Sequence, residues 1–205
     1  MGSHMPILYQ LFSTRLMERF GLETQSLVRT QVLDLGCGSG WASRLMAKKA
    51  QHGRVIGIDI SDEMVQLSAD TSKEFSNIDF KVASAEALPF NDKEFTHVFS
   101  MESLYYYSNM LAALKEVYRV LDDGGRFVTV VDLYFENEPS HQWIPTLNVP
   151  VQLLSIPDYR NVFEKAGFVN VQDQRLIDPK PIPDDYSGGS FKTREDYVLY
   201  KQNGS

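Results

Sequence analysis

A chain of 205 residues with 43% hydrophobic and 23% charged residues has the size and composition of one soluble globular domain with a full core. Its formal net charge is −7, with no basic run longer than Lys48-Lys49; that argues against a nucleic-acid partner, because phosphate neutralisation dominates such binding. No apolar stretch approaches the roughly 20 residues that span a bilayer and no signal peptide is visible. The single cysteine, Cys37, excludes an internal disulfide and suits a reducing cytoplasm.

Met1-Gly2-Ser3-His4 reads as a cloning scar before Met5, so one domain is expected over 5–205. Leu8, Leu11, Phe12, Leu16 and Phe20 fall at helical spacing and the pattern stops at Gly21. A second short helix is expected over Glu23–Arg29, which makes 6–30 a candidate helical lid carrying Tyr9, Gln10 and Arg15. Strand and helix patterns then alternate, the signature of a parallel sheet with helices on both faces. Strands are expected at Val32–Leu35, Arg54–Ile60, Ile78–Ala83, Phe95–Met101 and Arg126–Phe135. Between them lie helices over Trp41–His52, from Ser61 with Asp62 and Glu63 in its first turn, and over Met110–Leu121. Glu136–Leu154 holds Pro139, Pro145 and Pro150 and reads as a loop or lid. Ser155-x-x-Asp158 is a capping-box variant opening a helix to Ala166, which Gly167 ends. A sixth strand over Phe168–Arg175, a Pro-rich loop (Pro179, Pro181, Pro183) and a last strand, Tyr197–Lys201, complete the pattern. The expected fold is α/β: a Rossmann-like, doubly wound, seven-stranded sheet, mostly parallel with its last strand antiparallel. Residues 31–135 form its cofactor-binding core, and 136–205 its substrate loop and C-terminal part.

The chemistry concentrates in Val32-Leu-Asp-Leu-Gly-Cys-Gly-Ser-Gly-Trp41. Glycines let a backbone approach a ligand closely, and the helix behind them aims unpaired N–H groups at it. A dinucleotide fold wants G-x-G-x-x-G/A, whereas here the third glycine arrives one position early and Trp41 stands at the last one. Asp34 would repel a pyrophosphate but attract a cofactor with a free ammonium group. Asp59, nineteen positions after Gly40, ends the second strand, where a carboxylate can accept both hydroxyls of a ribose.

D-x-G-x-G-x-G after a first strand resembles motif I of the class I S-adenosylmethionine-dependent methyltransferases. Leu114–Val130 is similar to the helix-turn-strand signature that follows in that family. The likeness covers about residues 30 to 130. It implies S-adenosylmethionine as cofactor, held around Asp34, Gly36, Cys37, Gly38, Gly40, Asp59, Ile60 and Met64. It further implies that Ala85 offers a backbone N–H to the adenine ring, that Glu86 receives the adenine amino group, and that Met101 and Glu102 lie along the methionine part.

Methyl transfer needs alignment and exclusion of water more than acid–base power. Tyr105-Tyr106-Tyr107 follow the fourth strand and are expected to rim the methyl group or to pack as core; consecutive residues diverge, so at most two face a pocket. Tyr105 and Tyr107 are the candidates for substrate contact. His141, in the loop after the fifth strand, is the candidate base, with Glu102 as a second. His52 and His97 read as structural, and no spacing suggests a metal. The expected function is methylation of a small-molecule acceptor by a cytoplasmic monomer or homodimer. A protein or tRNA methyltransferase, a non-catalytic cofactor-binding protein and a nicotinamide oxidoreductase are the alternatives.

Overall fold

The computed structural model describes residues 30–176 and 191–203. The expected helices of the lid and the Pro-rich loop at 179–183 lie outside the described residues. Five strands form one parallel sheet: β1 (Gln31–Leu35), β2 (Arg54–Asp59), β3 (Ile78–Val82), β4 (Phe95–Met101) and β5 (Leu121–Val130), in the order β3-β2-β1-β4-β5. Helices α1 (Trp41–Lys49), α2 (Asp62–Thr71) and α3 (Met110–Val120) connect them, and α4 (Ile156–Ala166) and α5 (Arg194–Asn203) follow.

Strands buried on both faces read as near-continuous apolar runs, and β1 and β2 do so. Leu33, Leu35, Ile56 and Ile58 pack with Val117 and Val120 of α3. Val32 and Val55 face the other way, onto Ala42, Met46 and Ala47 of α1. By the period of two along a strand, Asp34 shares the face of Val32 and lies under α1. The chain leaves β1 toward β2 and β3 on one side and returns to build β4 and β5 on the other. The crevice where strand order reverses therefore opens at the carboxyl ends of β1 and β4.

Local signals place the helix starts well. Ser61 caps α2 by accepting from the Met64 N–H at 3.3 Å, and Ser155 and Asp158 form the reciprocal capping box of α4.

Four expectations are corrected. The fifth strand begins earlier and ends at Val130: Leu121 already pairs with Phe95, and a register shift between Phe95 and His97 absorbs the Asp122–Gly125 turn. The chain then leaves the sheet, and the stretch expected to be loop contains a 3-10 helix over Glu138–Thr146. Residues 168–175 form no strand, and Val169 is 81% exposed; apolar alternation alone lacks the neighbouring backbone that a strand requires. Tyr197–Lys201 lies within α5, where Thr193 Oγ1 accepts the Asp196 N–H at 3.0 Å. Acids in the first turn and Lys201 in the last complete a helix signal that outweighs the β propensity of the apolar run. The seven-strand count and the antiparallel last strand are not found among the described residues.

Candidate active site

The glycine loop is held from behind by β2 and α2. Gly36 and Cys37 both donate their N–H to the Ile58 carbonyl, at 2.9 and 2.8 Å. The Gly38 N–H donates to Asp59 Oδ2 at 2.9 Å, and Ser68 Oγ donates to the Gly38 carbonyl at 2.6 Å. Gly36 has φ +72°, and a Cβ there would lie 2.5 Å from Ser103 Cβ. Gly38, at φ +50°, would place a Cβ in open space with nothing within 4 Å. One glycine thus permits close packing against Ser103 in the turn after β4, and the other presents bare backbone outward.

Two carboxylates flank this loop. Asp34 is 2% exposed and accepts from Ser43 Oγ at 2.5 Å. Burial pushes its pKa up to about 7, against the lowering effect of the Ser43 hydrogen bonds and with a smaller upward push from Asp59. Asp59 also accepts the Ser61 N–H through Oδ1 at 2.9 Å. A carboxylate has about four lone-pair sites, so these two bonds leave Asp59 accepting capacity. Next to it, Ile60 is 77% exposed at the lip of the crevice, and Met64 lies half-buried in the first turn of α2. Cys37 is buried, and burial followed by the charges of Asp34 and Asp59 pushes its thiol well up, which makes it an inert packing group rather than a nucleophile.

Across the crevice, Ser103 Oγ lies 2.6 Å from Ser100 Oγ and 2.8 Å from the Tyr107 hydroxyl, and 3.1 Å from the Leu35 carbonyl, which it can only approach as donor. Tyr107 is thereby brought against Gly36. Tyr105, 5% exposed, donates its hydroxyl to Glu102 Oε2 at 2.8 Å. Tyr106 is 40% exposed, so the first and third tyrosines turn inward and the middle one outward.

The other sequence candidates are placed less simply. Ala85 is buried in the core beneath the β3–β4 connection. Glu86 Oε1 accepts from Ser108 Oγ and the Asn109 N–H, both at 2.8 Å, and those bonds lower its pKa; this carboxylate anchors the start of α3. Met101 ends β4, half-buried. His141 Nε2 lies 3.0 Å from the Tyr134 carbonyl. A carbonyl only accepts, so Nε2 carries a proton in this contact and Nδ1 is left as the accepting nitrogen. Ser43, Ser68 and Ser103, which position the loop and its acids, escaped sequence reading. Ser68 alone carried a signal, seven residues after the α2 cap and so on one helical face with it. Among the described residues no group of three or more His, Cys, Asp or Glu is placed to hold a metal.

A methyltransferase-domain family model matches residues 33–129, from β1 to β5. A demethylmenaquinone methyltransferase of Lactococcus lactis is 30% identical over 198 residues, covering 82% of this chain and 75% of that protein. The chain belongs to the class I S-adenosylmethionine-dependent methyltransferases. A chain of the solved complex between the Haloferax volcanii Trm112 methyltransferase activator and a methyltransferase superposes with TM-score 0.82 at 30% identity, over 97% of this chain and 88% of that one. An S-adenosylmethionine-dependent methyltransferase of Aquifex aeolicus shares the fold, with TM-score 0.62 at 21% identity over 79% of this chain and 82% of that one. S-adenosylmethionine is the cofactor of this methyltransferase. The site fits it: bare backbone at Gly38, spare accepting capacity on Asp59 beside it, and a buried acid poised near neutrality at Asp34.

Proposed function

We propose that this methyltransferase acts on a small-molecule acceptor with an apolar, aromatic-compatible body. The observation that carries the reading is the composition of the β4 side of the crevice. There the Tyr107 hydroxyl stands against Gly36 of the glycine loop, and an acid, Glu102, lies between the hydroxyl of the buried Tyr105 and the backbone of Asp132 just after β5. Pockets for small ligands are mostly apolar and aromatic, with a few polar groups that fix orientation. The demethylmenaquinone methyltransferases among its relatives lean the same way.

In this reading Asp34 receives the cofactor's ammonium group, Asp59 its ribose hydroxyls, and Ile60 and Met64 one face of the adenine. The Ala85 backbone meets the ring edge. Glu86, bound through one oxygen to Ser108 and Asn109, reaches the adenine amino group with its other. Met101 and Glu102 border the methionine part. When bound, the cofactor supplies an electrophilic methyl carbon whose transfer leaves a neutral thioether. The chain's own work is then to align acceptor and methyl, worth up to about 7–11 kcal/mol in an ideal case, and to keep water out. Tyr105 and Tyr107 border the acceptor, and His141 reaches it through Nδ1. We place the enzyme in the cytoplasm, as monomer or homodimer; no helix of the described residues is long and apolar enough to cross a membrane.

Calorimetric titration with S-adenosylhomocysteine, followed by a screen of phenolic and quinol acceptors, tests the reading. Micromolar binding with turnover of at least one such acceptor is expected; binding without turnover of any small acceptor overturns it. The Haloferax likeness over nearly the whole chain favours a second reading, in which the methyltransferase needs a protein activator. Turnover that appears only when a Trm112-type protein is added decides for that one.

A further inference from the structure

A second pair of acids lies beyond the glycine loop. Glu102 is the first residue after β4, and Asp132 is the second after β5. Glu102 Oε1 accepts the Asp132 backbone N–H at 2.6 Å, while Oε2 accepts the Tyr105 hydroxyl. Asp132 is 4% exposed, and its Oδ2 accepts the hydroxyl of Tyr200 at 2.8 Å. Tyr200 belongs to α5 and is itself buried, its ring 4.7 Å from that of Phe191 and 5.7 Å from that of Trp143. The C-terminal helix therefore reaches the carboxyl edge of the sheet through the Tyr200 phenol. Two further buried polar groups lie at this corner. The Tyr159 hydroxyl of α4, which feels the charge of Glu102, is buried without a hydrogen-bond partner among the described residues. Asn137, fully buried, donates through Nδ2 to the Asp132 carbonyl, and its Oδ1 likewise has no partner among the described residues. Buried polar groups are rarely left so.

We propose that Tyr200 is a positioning residue of the acceptor side: its hydroxyl locks Asp132 beside Glu102, and the locked pair takes the proton of the methyl-accepting group. This rests on the methyltransferase reading of the crevice. As the acceptor's O–H, N–H or C–H bond breaks, its proton passes to a Glu102 oxygen and the electron pair stays on the accepting atom for methyl transfer. Burial, and then the charge of Asp132, hold Glu102 well above the usual carboxylate range, against lowering hydrogen bonds from Tyr105 and the Asp132 N–H. That moves it toward the range in which a base works best at neutral pH. Among the described residues, the titratable groups facing Glu102 are Asp132 after β5, Tyr105 and Tyr106 in the turn after β4, and Tyr159 on α4.

The test uses the full chain labelled with 13C at the glutamate carboxyls. Glu102 is assigned by loss of its signal in Glu102→Gln, and the carboxyl is titrated by NMR in the wild type, Tyr200→Phe, Asp132→Asn and the double variant. The wild-type Glu102 is expected to titrate clearly above an ordinary glutamate, raised by burial and by the charge of Asp132. Either single variant lowers the midpoint, by about half a unit or more. In the Asp132→Asn background Tyr200→Phe has no further effect, because Tyr200 acts through Asp132. A Glu102 midpoint in the ordinary range overturns the proposal, and so does an equal Tyr200→Phe shift in both backgrounds, the mark of general loosening of α5. Titration with S-adenosylhomocysteine on the same samples separates the two readings. Binding with no midpoint shift sinks only the role of Tyr200. No binding, with the shifts intact, sinks the methyltransferase reading of the crevice and the base role with it.

Discussion

The Asp59 carboxylate accepts the backbone N–H of Gly38 at 2.9 Å, tying the end of β2 to the middle of the glycine loop. The same side chain shapes the loop and keeps accepting capacity for the proposed ribose contact. Asp59→Ala is expected to cost about 1–3 kcal/mol of stability and to weaken S-adenosylhomocysteine binding at least about tenfold. Urea unfolding and calorimetry measure the two effects; unchanged affinity would remove Asp59 from the cofactor site.

Gly36 and Gly38 differ in what a side chain would meet. At Gly36 a Cβ collides with Ser103 at 2.5 Å, while at Gly38 it enters open space. Both have positive φ, which costs a non-glycine residue roughly 1 kcal/mol or more. Gly36→Ala should therefore lower the melting temperature clearly more than Gly38→Ala. Gly38→Ala should instead lose cofactor affinity out of proportion to its small loss of stability. Equal thermal effects would contradict the packing difference.

Asp34 makes stability depend on pH. Its pKa rises from 3.8 to about 7 on folding, so between those values the folded state holds a proton that the unfolded state has lost. Stability falls as pH rises through this window and is flat above it. Asp34→Asn keeps an acceptor for Ser43 without the buried charge. It should match the wild type near pH 4 and exceed it at pH 8 by on the order of 2–4 kcal/mol. Denaturant unfolding at the two pH values checks this, and a pH-independent difference would refute it.

Cofactor binding carries the opposite sign. An ammonium group beside Asp34 favours the ionised form, so affinity for S-adenosylhomocysteine should rise about tenfold between pH 6 and 8. The rise should vanish in Asp34→Asn. Calorimetry at several pH values reads both, and a wild-type affinity that is flat across the range would place the ammonium elsewhere.

Arg119 holds the β3–β4 connection to α3. Its guanidinium donates to the Leu88 and Phe90 carbonyls, to Asp92, and through two nitrogens to Glu116. Glu116 in turn accepts the Leu88 N–H at 2.8 Å. A planar fork makes these contacts together, and an ammonium cannot. Arg119→Lys and Arg119→Ala should both destabilise, by about 1–3 kcal/mol, with cofactor affinity within about twofold of wild type. A tenfold loss of affinity at unchanged stability would make Arg119 part of the site.

Short-range pattern determined much of this protein. The places of Asp34 in β1, of the glycines to Gly40 in the turn behind it and of Asp59 at the end of β2 were legible because strand ends, helix starts and glycine turns depend on neighbours within a few residues. β4 matched residue for residue and the capping box at Ser155 was readable for the same reason. Long-range contact decided the rest. Tyr197–Lys201 is apolar enough for a strand, but Thr193 capping and docking against Trp143 make it a helix. Glu86 is an acid at an expected position whose carboxylate is claimed by Asn109, twenty-three residues away. Asp132 and Tyr200, sixty-eight residues apart, share no local pattern; only the departure of the chain from the sheet after β5 and the return of α5 bring them together. Side-chain partners at that range are set by how whole elements pack, and packing is a property of the assembled core.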